Sequence, residues 1–402
     1  MGRAGAEKSM LELINTLDKD KYEIHLFSLI NRGEMFDYVP PHVRIHNKKP
    51  DSRSVLGAKS FLFKTILRAM FKGFNLIGSF PYIVRNLADQ LKNKRLQFDK
   101  IFWKLISDGA STIDEKFDVA IAYLEGGASL YVANHVNADK KAAFIHIDYK
   151  QAGYSKKLDN GCYNKMDKIY IVSEEAKRSF LDIYPELLNK VQIFYNIINK
   201  SSIMKLAGEG NGFRDAFEGF RLLTIGRLHY QKGYDIVIPA LARLINENYK
   251  VKWYVLGEGE IRYELEKLIE KYQLEDKFIL LGAVANPYTY LKQCDLYVHA
   301  TRFEGRSIAI DEAQVLGKAI IASDSSGNRE QIVDGVNGLI VKLDEKEIAE
   351  AIKKLLDDKF LRNKFEQTNG ERAFNYRDNM KSFYDFLGDA KNEGYTDNHT
   401  CI

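Results

Sequence analysis

Short apolar runs alternate with amphipathic stretches along most of this 402-residue chain. Residues 117–124, 141–146 and 168–173 predict strands, and sequence with helical spacing follows each of them. The alternation resumes at 221–225 and continues to 338–341. No tight hairpin turn joins two of these strands, so the pattern favours an α/β protein with parallel sheets and helices packed on their faces.

Two α/β halves are predicted on either side of a polar stretch without strong periodicity. We place an N-terminal domain at 1–198, a linker at 199–219 and a second domain at 220–370, followed by a helix and tail at 371–402. Each half is long enough to bury its own core. We expect a ligand cleft between the two domains.

The start of the N-terminal half lacks one strand of a doubly wound sheet. Gly2 and Gly5 flank a tight loop, which leads into helical spacing and then a predicted strand at 22–29. In such a sheet a strand precedes the glycine loop and lies centrally, and without it two edges would stay unpaired. We therefore expect the natural chain to begin about ten residues upstream of Met1.

Composition indicates an ordinary globular protein, since 45% of the residues are hydrophobic and 28% are charged. The three cysteines have no metal-type spacing and cannot all pair, which fits a reducing compartment. There is no long apolar run and no signal peptide. We expect a cytoplasmic protein, or one that binds peripherally to the inner face of the plasma membrane.

Positive charge is concentrated in residues 51–104, which contain eleven Lys or Arg and three acids. Between 61 and 74, apolar side chains fall mainly on one helical face with cations interleaved. This pattern is typical of an amphipathic helix on an anionic membrane, although a core helix with cationic, solvent-facing flanks would show it too. No nucleic-acid motif accompanies the charge, and we expect no nucleic-acid partner.

Two carboxylates lie eight residues apart at a predicted strand–loop–helix corner. Residues 296–298 predict the strand, Gly305 lies in the turn, and helical spacing begins near Ser307. Glu304 would then lie in the loop and Glu312 in the helix, close to the unpaired N–H groups of its first turn. Carboxylates can accept hydrogen bonds from sugar hydroxyls, and helix N–H groups can donate to a phosphate. The two together suit a nucleotide sugar. Taken singly, either glutamate could be a solvated surface residue.

Two cations follow the first strand of the second half. Gly226 lets the backbone approach a ligand, and Arg227 and Lys232 suit a diphosphate, because Arg binds bidentately and Lys acts as a point charge. No Asp-x-Asp motif is placed to hold a metal. We therefore predict a metal-independent enzyme without a cofactor, in which these cations take the part that Mg²⁺ plays elsewhere.

A histidine lies at the carboxyl end of a predicted strand in the first half. His146 ends the run 141–146, and parallel sheets bind ligands at such ends. Its ring could donate to a sugar hydroxyl or a phosphate. It could equally be a packed imidazole with all its hydrogen bonds satisfied.

Five motifs in this order resemble glycosyltransferase family 4, a retaining group with the GT-B fold. They are the opening Gly-Arg-Ala-Gly-Ala-Glu-Lys, the loop Gly226-Arg227-Leu228 to Lys232-Gly233, the turn Leu256-Gly257-Glu258-Gly259, the Glu304/Glu312 pair, and Asp334-Gly335-Val336-Asn337-Gly338-Leu339. The resemblance covers nearly the whole chain. It implies two Rossmann-like, doubly wound domains with parallel sheets and a cleft between them, with the N-terminal domain on the acceptor side and the C-terminal domain binding the nucleotide sugar.

The resemblance also implies roles for single residues. Glu304 would face the donor hexose, and Glu312 would bind the nucleotide ribose. Arg227 and Lys232 would hold the diphosphate, and His146 would lie near the transferred sugar. We thus predict Glu304, His146, Arg227 and Lys232 as catalytic residues. Residues predicted to bind substrate are Gly2, Gly5, Gly226, Arg227, Lys232, Gly257, Gly305, Arg306, Ser307, Ile308 and Glu312.

Together these features predict a hexosyltransferase of cell-surface glycan synthesis. It would move a hexose or N-acetylhexosamine from a nucleotide sugar, by preference a UDP-sugar, to a lipid-linked or polysaccharide acceptor. Residues 306–309 depart from the aromatic or Leu, Gly and Pro residues that many relatives have there, so the donor sugar stays open. A nucleotide-sugar epimerase or a non-catalytic GT-B subunit are the alternatives, and the intact acidic and basic set argues against the second.

Overall fold

The computed structural model describes residues 5–46, 75–92, 98–372 and 377–388. The chain divides into two compact units, Met1–Asn196 with Tyr376–Thr396 as unit 1, and Ile197–Asn375 with Asp397–Ile402 as unit 2. Gly2 and residues 51–74 and 93–97 lie outside the described residues, and with them the amphipathic helix predicted between 61 and 74.

Unit 1 combines short parallel strands with helices. Its strands are β1 His25–Leu26, β2 Arg44–Ile45, β3 Lys116–Ala122, β4 Asn137–Ile145, β5 Lys168–Ile171 and β6 Val191–Ile193. Its helices before residue 197 are α1 Gly5–Thr16, α2 Asn75–Lys92, α3 Phe98–Asp108, α4 Gly127–His135, α5 Lys156–Asp159 and α6 Glu174–Leu181. Short 3₁₀ helices occur at Glu34–Tyr38, Cys162–Lys165 and Pro185–Lys190.

Strands β3 to β6 form a four-stranded parallel sheet in chain order, and β1 pairs with β2 in a separate parallel sheet. The apolar run predicted as a strand at 22–29 is therefore mostly loop, since only His25 and Leu26 find strand partners, at Arg44 and Ile45. The second half of β4, residues 142 to 145, is fully inaccessible, which shows that the four-stranded sheet is covered on both faces there.

The helix Arg377–Leu387 is the last described element and packs within unit 1. Its Phe383 ring lies 5.6 Å from the ring centroids of both Tyr170 and Phe194. Tyr384 donates from its hydroxyl to the carbonyl of Thr16, 3.1 Å away. The helix predicted after 371 thus completes the aromatic core of the N-terminal unit, and the predicted tail from 389 lies outside the described residues.

Among the described residues, unit 2 contains six parallel strands, β7 Phe220–Ile225, β8 Val251–Leu256, β9 Phe278–Gly282, β10 Leu296–His299, β11 Ala319–Ser323 and β12 Leu339–Val341. Its helices are α7 Lys200–Ala207, α8 Tyr234–Asn246, α9 Arg262–Lys271, α10 Tyr288–Gln293, α11 Ile308–Val315, α12 Ser326–Gln331, α13 Glu345–Asp357 and α14 Lys359–Gly370, with a 3₁₀ turn at Tyr230–Lys232. The order across the sheet is β12-β11-β10-β7-β8-β9. The prediction of two α/β halves with parallel sheets is confirmed.

Helix α7 lies inside the stretch that we predicted as a linker. The Asn199 side chain accepts from the backbone N–H of Ser202 at 2.9 Å and so caps the helix. Ile203 packs with Ile198 and Val315, and the Asn286 amide donates to the carbonyl of Leu206. The segment is part of unit 2, and its two buried side chains, at 203 and 207, are too few to give a clear helical period.

None of the helices in the described part of the chain combines the length and the apolar character needed to cross a bilayer.

Candidate active site

The topology of unit 2 places two predicted loops next to each other. Strands β7 and β10 are neighbours, but β8 and β11 lie on opposite sides of them, so the strand order reverses between β7 and β10. Open α/β sheets bind ligands outside the carboxyl ends of the strands at such a point. The loop after β7 contains Arg227 and Lys232, and the loop after β10 contains Glu304.

Lys232 and Glu304 form an ion pair at this position. The lysine Nζ donates to Oε2 of the glutamate over 2.5 Å, and the two side chains are only 15% and 14% exposed. His299, the last residue of β10, places Nε2 3.5 Å from the same oxygen. The Tyr297 hydroxyl lies 3.1 Å from Nδ1 of His299 and fixes its ring. The two residues predicted from the sequence thus meet at one buried point.

The electrostatics keep the carboxylate ionised. Burial alone would raise the pKa of Glu304, but the charge of Lys232 and the contact with His299 outweigh it and lower the pKa to about 2. Burial, followed by the charge of Lys232, lowers the pKa of His299, so its imidazole is neutral at neutral pH. The site therefore holds one negative and one positive charge.

We expect this ion pair to make stability depend on pH. The pKa of Glu304 is lower in the folded chain than the ordinary value of 4.5, so its stabilisation is complete above about pH 5 and is lost as the pH falls toward 2. A shift of this size corresponds to about 3 kcal/mol at neutral pH. Urea unfolding of the wild type and of Glu304→Gln from pH 7 to 3 measures it.

The difference in the free energy of unfolding between these two proteins should shrink on acidification. Glu264 is an exposed residue of α9, and Glu264→Gln is the matched control that should follow the wild type at every pH. A difference that stays constant between pH 7 and 3 would contradict the effect.

Backbone and side-chain contacts hold the two loops together. The Arg302 N–H donates to the Gln231 carbonyl at 2.8 Å, and the Gln231 amide donates to the Phe303 carbonyl at 2.7 Å. The Arg302 guanidinium donates to both carboxylate oxygens of Asp235 and lies 3.8 Å from the centroid of the Tyr230 ring. These contacts fix the distance between the lysine loop and the glutamate loop.

Glycines after β8 allow a third loop to lie against the first. A Cβ on Gly257 would lie 1.9 Å from the Gly226 carbonyl oxygen, and one on Gly259 would lie 2.1 Å from that of Leu228. The Leu228 N–H donates to the Glu258 carbonyl at 3.0 Å. Only residues without a side chain permit this approach. Gly226 and Gly257, predicted to bind substrate, thus also have a packing role.

Arg227 is exposed, and its guanidinium forms no hydrogen bond or ion pair with the residues that the structure describes. It precedes the buried Leu228, which fixes the backbone, and it lies in the same loop as Lys232. An exposed arginine without an internal acid remains available for an anionic ligand.

The predicted start of the helix near Ser307 is correct. Ser307 is the N-cap of α11, and its hydroxyl accepts from the N–H of Ile310 at 3.4 Å. Glu312 is only 3% exposed, and its carboxylate accepts from the Tyr288 hydroxyl at 2.9 Å. The alternative that Glu312 is a solvated surface residue is therefore wrong.

Arg306 is held by Asp311 of the helix that follows it, α11. Its guanidinium donates to both carboxylate oxygens of Asp311, at 2.9 and 3.2 Å, and the two side chains are 9% and 1% exposed. The Ser307 hydroxyl serves as the cap, and the Ser307 N–H donates to the Gln331 side chain at 2.8 Å. The Arg306 guanidinium is thus engaged by Asp311, and the binding roles of Gly305, Arg306 and Ile308 stay predictions.

His146 lies in unit 1, directly after β4. Its ring is packed beside Tyr123 and Phe144, with centroids 5.0 and 5.9 Å away. Burial lowers the pKa of His146 to about 4, against a smaller, opposite effect of the Tyr123 backbone. Its Nε2 is buried and has no hydrogen-bond partner among the described residues, so the imidazole is not fully satisfied. A ligand hydroxyl would relieve this unpaired nitrogen.

Gly5 is the first described residue and begins α1. Ser9 of the same helix donates to the Asn196 side chain at 2.9 Å and lies 2.8 Å from the Tyr123 hydroxyl. These bonds place the start of α1 beside the strand ends of unit 1. They do not show what Gly5 binds, and its predicted role stays a prediction.

Sequence reasoning missed His299 and Tyr288. His299 is the last residue of β10, one of the two strands between which the strand order reverses. We predicted His146 because it is a polar residue at the carboxyl end of an apolar run, and the same rule would have found His299. No local pattern marks Tyr288, because its contact with Glu312 joins residues 24 positions apart.

Comparisons with known proteins agree with this geometry. Residues 217–372 match the family described as Glycosyl transferases group 1. The N-acetylgalactosamine-N,N'-diacetylbacillosaminyl-diphospho-undecaprenol 4-alpha-N-acetylgalactosaminyltransferase of Campylobacter jejuni is 28% identical over 381 residues, which are 93% of this chain and 92% of that protein. The poly(ribitol-phosphate) alpha-N-acetylglucosaminyltransferase of Staphylococcus aureus is 25% identical over 53% of this chain and 42% of its own length.

Solved structures show the same fold. Anabaena HepE in complex with UDP and glucose has a TM-score of 0.67 at 17% identity, and the match covers 96% of both chains. A mutant of S. aureus TarM, solved with UDP bound, has a TM-score of 0.55 at 21% identity over 67% of this chain and 55% of that one. The predicted GT-B fold with two Rossmann-like domains is thus confirmed. The region 217–372, which contains Arg227, Lys232, Glu304 and Glu312, thus matches the glycosyl transferases of group 1, and the chain is a glycosyltransferase.

Proposed function

We propose that the chain is a retaining glycosyltransferase that moves an N-acetylhexosamine or another hexose from a UDP-sugar to a lipid-linked or polysaccharide acceptor in cell-surface glycan synthesis. The buried Lys232–Glu304 pair at the strand reversal of unit 2 is the observation that carries the proposal. In this pair Lys232 is a cation that can bind a phosphate, and Glu304 beside it can accept hydrogen bonds from sugar hydroxyls.

The donor would use each group according to its chemistry. Its diphosphate takes Lys232 and the free guanidinium of Arg227, and its ribose hydroxyls donate to Glu312. The hexose hydroxyls donate to Glu304, which is ionised at neutral pH. When the bond between the anomeric carbon and phosphate breaks, charge builds up on the diphosphate, and these fixed cations stabilise it without rearranging.

Binding the donor requires an exchange of partners. In the structure Lys232 is bonded to Glu304, so a phosphate must draw the ammonium away while a sugar hydroxyl takes its place on the carboxylate. A UDP-sugar supplies both groups in one molecule. UDP alone supplies the phosphate but leaves the carboxylate without its partner.

The acceptor class rests on the relatives. The C. jejuni protein, which aligns over nearly the full length of both chains, is named for an acceptor linked to diphospho-undecaprenol and for an alpha product. The S. aureus protein is named for an alpha product on poly(ribitol phosphate). We infer that this chain also retains the anomeric configuration, with the leaving phosphate removing the proton of the acceptor hydroxyl on the same face.

A peripheral position at a membrane would suit a lipid-linked acceptor. In α2, which lies in the basic stretch 51–104, Phe80, Val84 and Leu91 fall on one helical face and are 65%, 47% and 61% exposed. Apolar side chains among cations are typical of helices that lie on anionic bilayers. Co-sedimentation with vesicles containing anionic lipid, and its loss in high salt, tests this position.

The proposed function is tested first by calorimetric titration of UDP and GDP into metal-free protein. Binding of UDP would justify assays of UDP-N-acetylglucosamine and UDP-N-acetylgalactosamine with undecaprenyl-diphosphate-linked saccharides. Release of free sugar without an acceptor would instead indicate the epimerase, and UDP binding without turnover on any acceptor the non-catalytic subunit. Failure to bind either nucleotide would contradict the donor site.

Arg227→Ala should weaken UDP binding by about 1.5–3 kcal/mol, the range for a hydrogen bond to a charged group, or roughly tenfold to a hundredfold in Kd. The guanidinium forms no hydrogen bond or ion pair with described residues, so its removal should leave stability unchanged. Arg214 is an exposed arginine of the same unit, and Arg214→Ala is the matched control, with unchanged UDP binding. Unaltered affinity in Arg227→Ala would place the diphosphate elsewhere.

A further inference from the structure

Unit 1 contains a cluster of two histidines and one glutamate from three separate segments. His25 lies in β1, His46 follows β2, and Glu115 precedes β3. Each offers one ligand atom, and these atoms lie within 4.8 Å of one another. Within the described parts of the chain this is the one group of three or more His, Cys, Asp or Glu side chains with such spacing.

The hydrogen bonds of His25 define which nitrogen faces the cluster. Its Nε2 lies 2.9 Å from the Glu23 carboxylate, which can only accept, so Nε2 carries a proton. In the neutral ring, Nδ1 then has a lone pair. Nδ1 lies 2.7 Å from Nε2 of His46 and 3.5 Å from Oε2 of Glu115.

This arrangement favours a cation at the centre of the cluster. A proton on one ring nitrogen joins Nδ1 of His25 to Nε2 of His46 at 2.7 Å, and a metal ion would replace that proton and also neutralise the Glu115 carboxylate 3.5 Å from Nδ1. The protein places a second carboxylate, that of Glu23, on the far side of the same imidazole. Metal-binding histidines typically have this outer contact, which fixes the ring and strengthens the ligand.

We propose that Nδ1 of His25, Nε2 of His46 and the Glu115 carboxylate bind one divalent transition-metal ion of the Zn²⁺ type. Two imidazoles and a carboxylate are ligands that Zn²⁺ takes, with bonds of about 2.0–2.2 Å and water in the fourth position. Tetrahedral ligands are then about 3.3 Å apart. The 3.5 Å distance from Nδ1 of His25 to Oε2 of Glu115 already fits this value. The 2.7 Å distance from Nδ1 of His25 to Nε2 of His46 has to increase, and both side chains lie at strand ends.

The surroundings of the cluster are compatible with a metal. The Phe117 ring meets both imidazoles edge-on, with centroids 5.2 and 6.1 Å away, and shields them from water on that side. Arg44 opposes metal binding, because it donates to Oε1 of Glu115 at 3.0 Å and leaves only Oε2 for the ion.

A metal here would join parts of unit 1 that share no strand pairing. The β1–β2 pair and the four-stranded sheet that begins with β3 are separate sheets. An ion held by His25, His46 and Glu115 would fasten the small sheet to the start of β3. This site belongs to unit 1, whereas the groups proposed to bind the nucleotide belong to unit 2.

The proposal is tested by titrating ZnCl₂ into the full chain after treatment with EDTA and desalting. We expect one site per chain by calorimetry, a rise in Tm with added Zn²⁺, and a visible spectrum of tetrahedral Co²⁺ when that ion is used instead. His46→Ala should weaken binding at least tenfold, and Glu23→Gln about tenfold. The exposed His42 is the matched control, and His42→Ala should bind as the wild type does.

Two further variants make the outcome independent of folding. Glu115 is 43% exposed, so Glu115→Gln should fold normally and still lose affinity. Arg44→Ala should tighten binding, because it removes a competing positive charge. Circular dichroism in EDTA and UDP titration report whether each variant is folded. Equal Zn²⁺ affinity in the wild type, His46→Ala and Glu115→Gln would overturn the proposal, as would loss of binding in His42→Ala.

Discussion

Glu304→Ala should lower the rate of sugar transfer at least about a hundredfold, the effect of removing one fixed group that stabilises a transition state. The carboxylate is ionised and buried at the strand reversal, where a hexose hydroxyl would replace Lys232 as its partner. UDP binding should persist, because the substitution leaves Lys232 free to meet the phosphate. Initial rates with a UDP-sugar and a lipid-linked acceptor, together with calorimetry of UDP, measure both effects.

Two controls separate the charge of Glu304 from its size and from folding. Glu304→Gln keeps the shape of the side chain and should lose most of the activity if the negative charge matters. The exposed Glu264 allows a matched Glu264→Ala variant, which should turn over as the wild type does. Near-normal turnover in Glu304→Ala, with intact circular dichroism, would remove this residue from the mechanism.

Lys232→Ala should weaken metal-free UDP binding by between about tenfold and a hundredfold or more, and should lower turnover further. The ammonium is the cation closest to Glu304 among the described residues, so its loss removes a phosphate contact and also leaves a buried carboxylate without its partner. That carboxylate would repel the diphosphate. Calorimetry without metal, with Lys346→Ala as an exposed control, measures the change in affinity.

The double variant Lys232→Ala/Glu304→Ala tests this repulsion. If the unpaired carboxylate weakens binding, the double variant should bind UDP more tightly than Lys232→Ala alone. Residues in direct contact show such non-additive effects. UDP affinity in Lys232→Ala equal to that of the wild type would show that the phosphate does not lie at this pair.

The core of unit 2 could be predicted from the sequence because its strands are buried on both faces. Short apolar runs such as 296–298 and 319–322 correspond to β10 and β11, whose residues are almost entirely inaccessible. The corner at Ser307 could be predicted as well, since a serine before helical spacing is a common N-cap. Local signals of this kind depend on residues only a few positions apart.

Contacts between distant residues could not be predicted in the same way. Lys232 and Glu304 are 72 positions apart, and only the strand order brings their loops together. The sequence around Arg306 does not indicate whether its guanidinium binds Asp311 or a ligand, because either partner would provide its hydrogen bonds. Of the run at 22–29 only β1 is a strand, because a strand exists only where a distant segment pairs with it, and only Arg44 and Ile45 do so here.

The close approach of the loops after β7 and β8 bears on any attempt to redesign the donor preference of this protein. With the backbone of Gly257 packed on the Gly226 carbonyl, neither loop can be diversified separately, because a single added methyl group would force the two apart. Directed evolution should therefore hold these glycines constant. Variation belongs at a position such as Ile308, whose side chain is partly accessible.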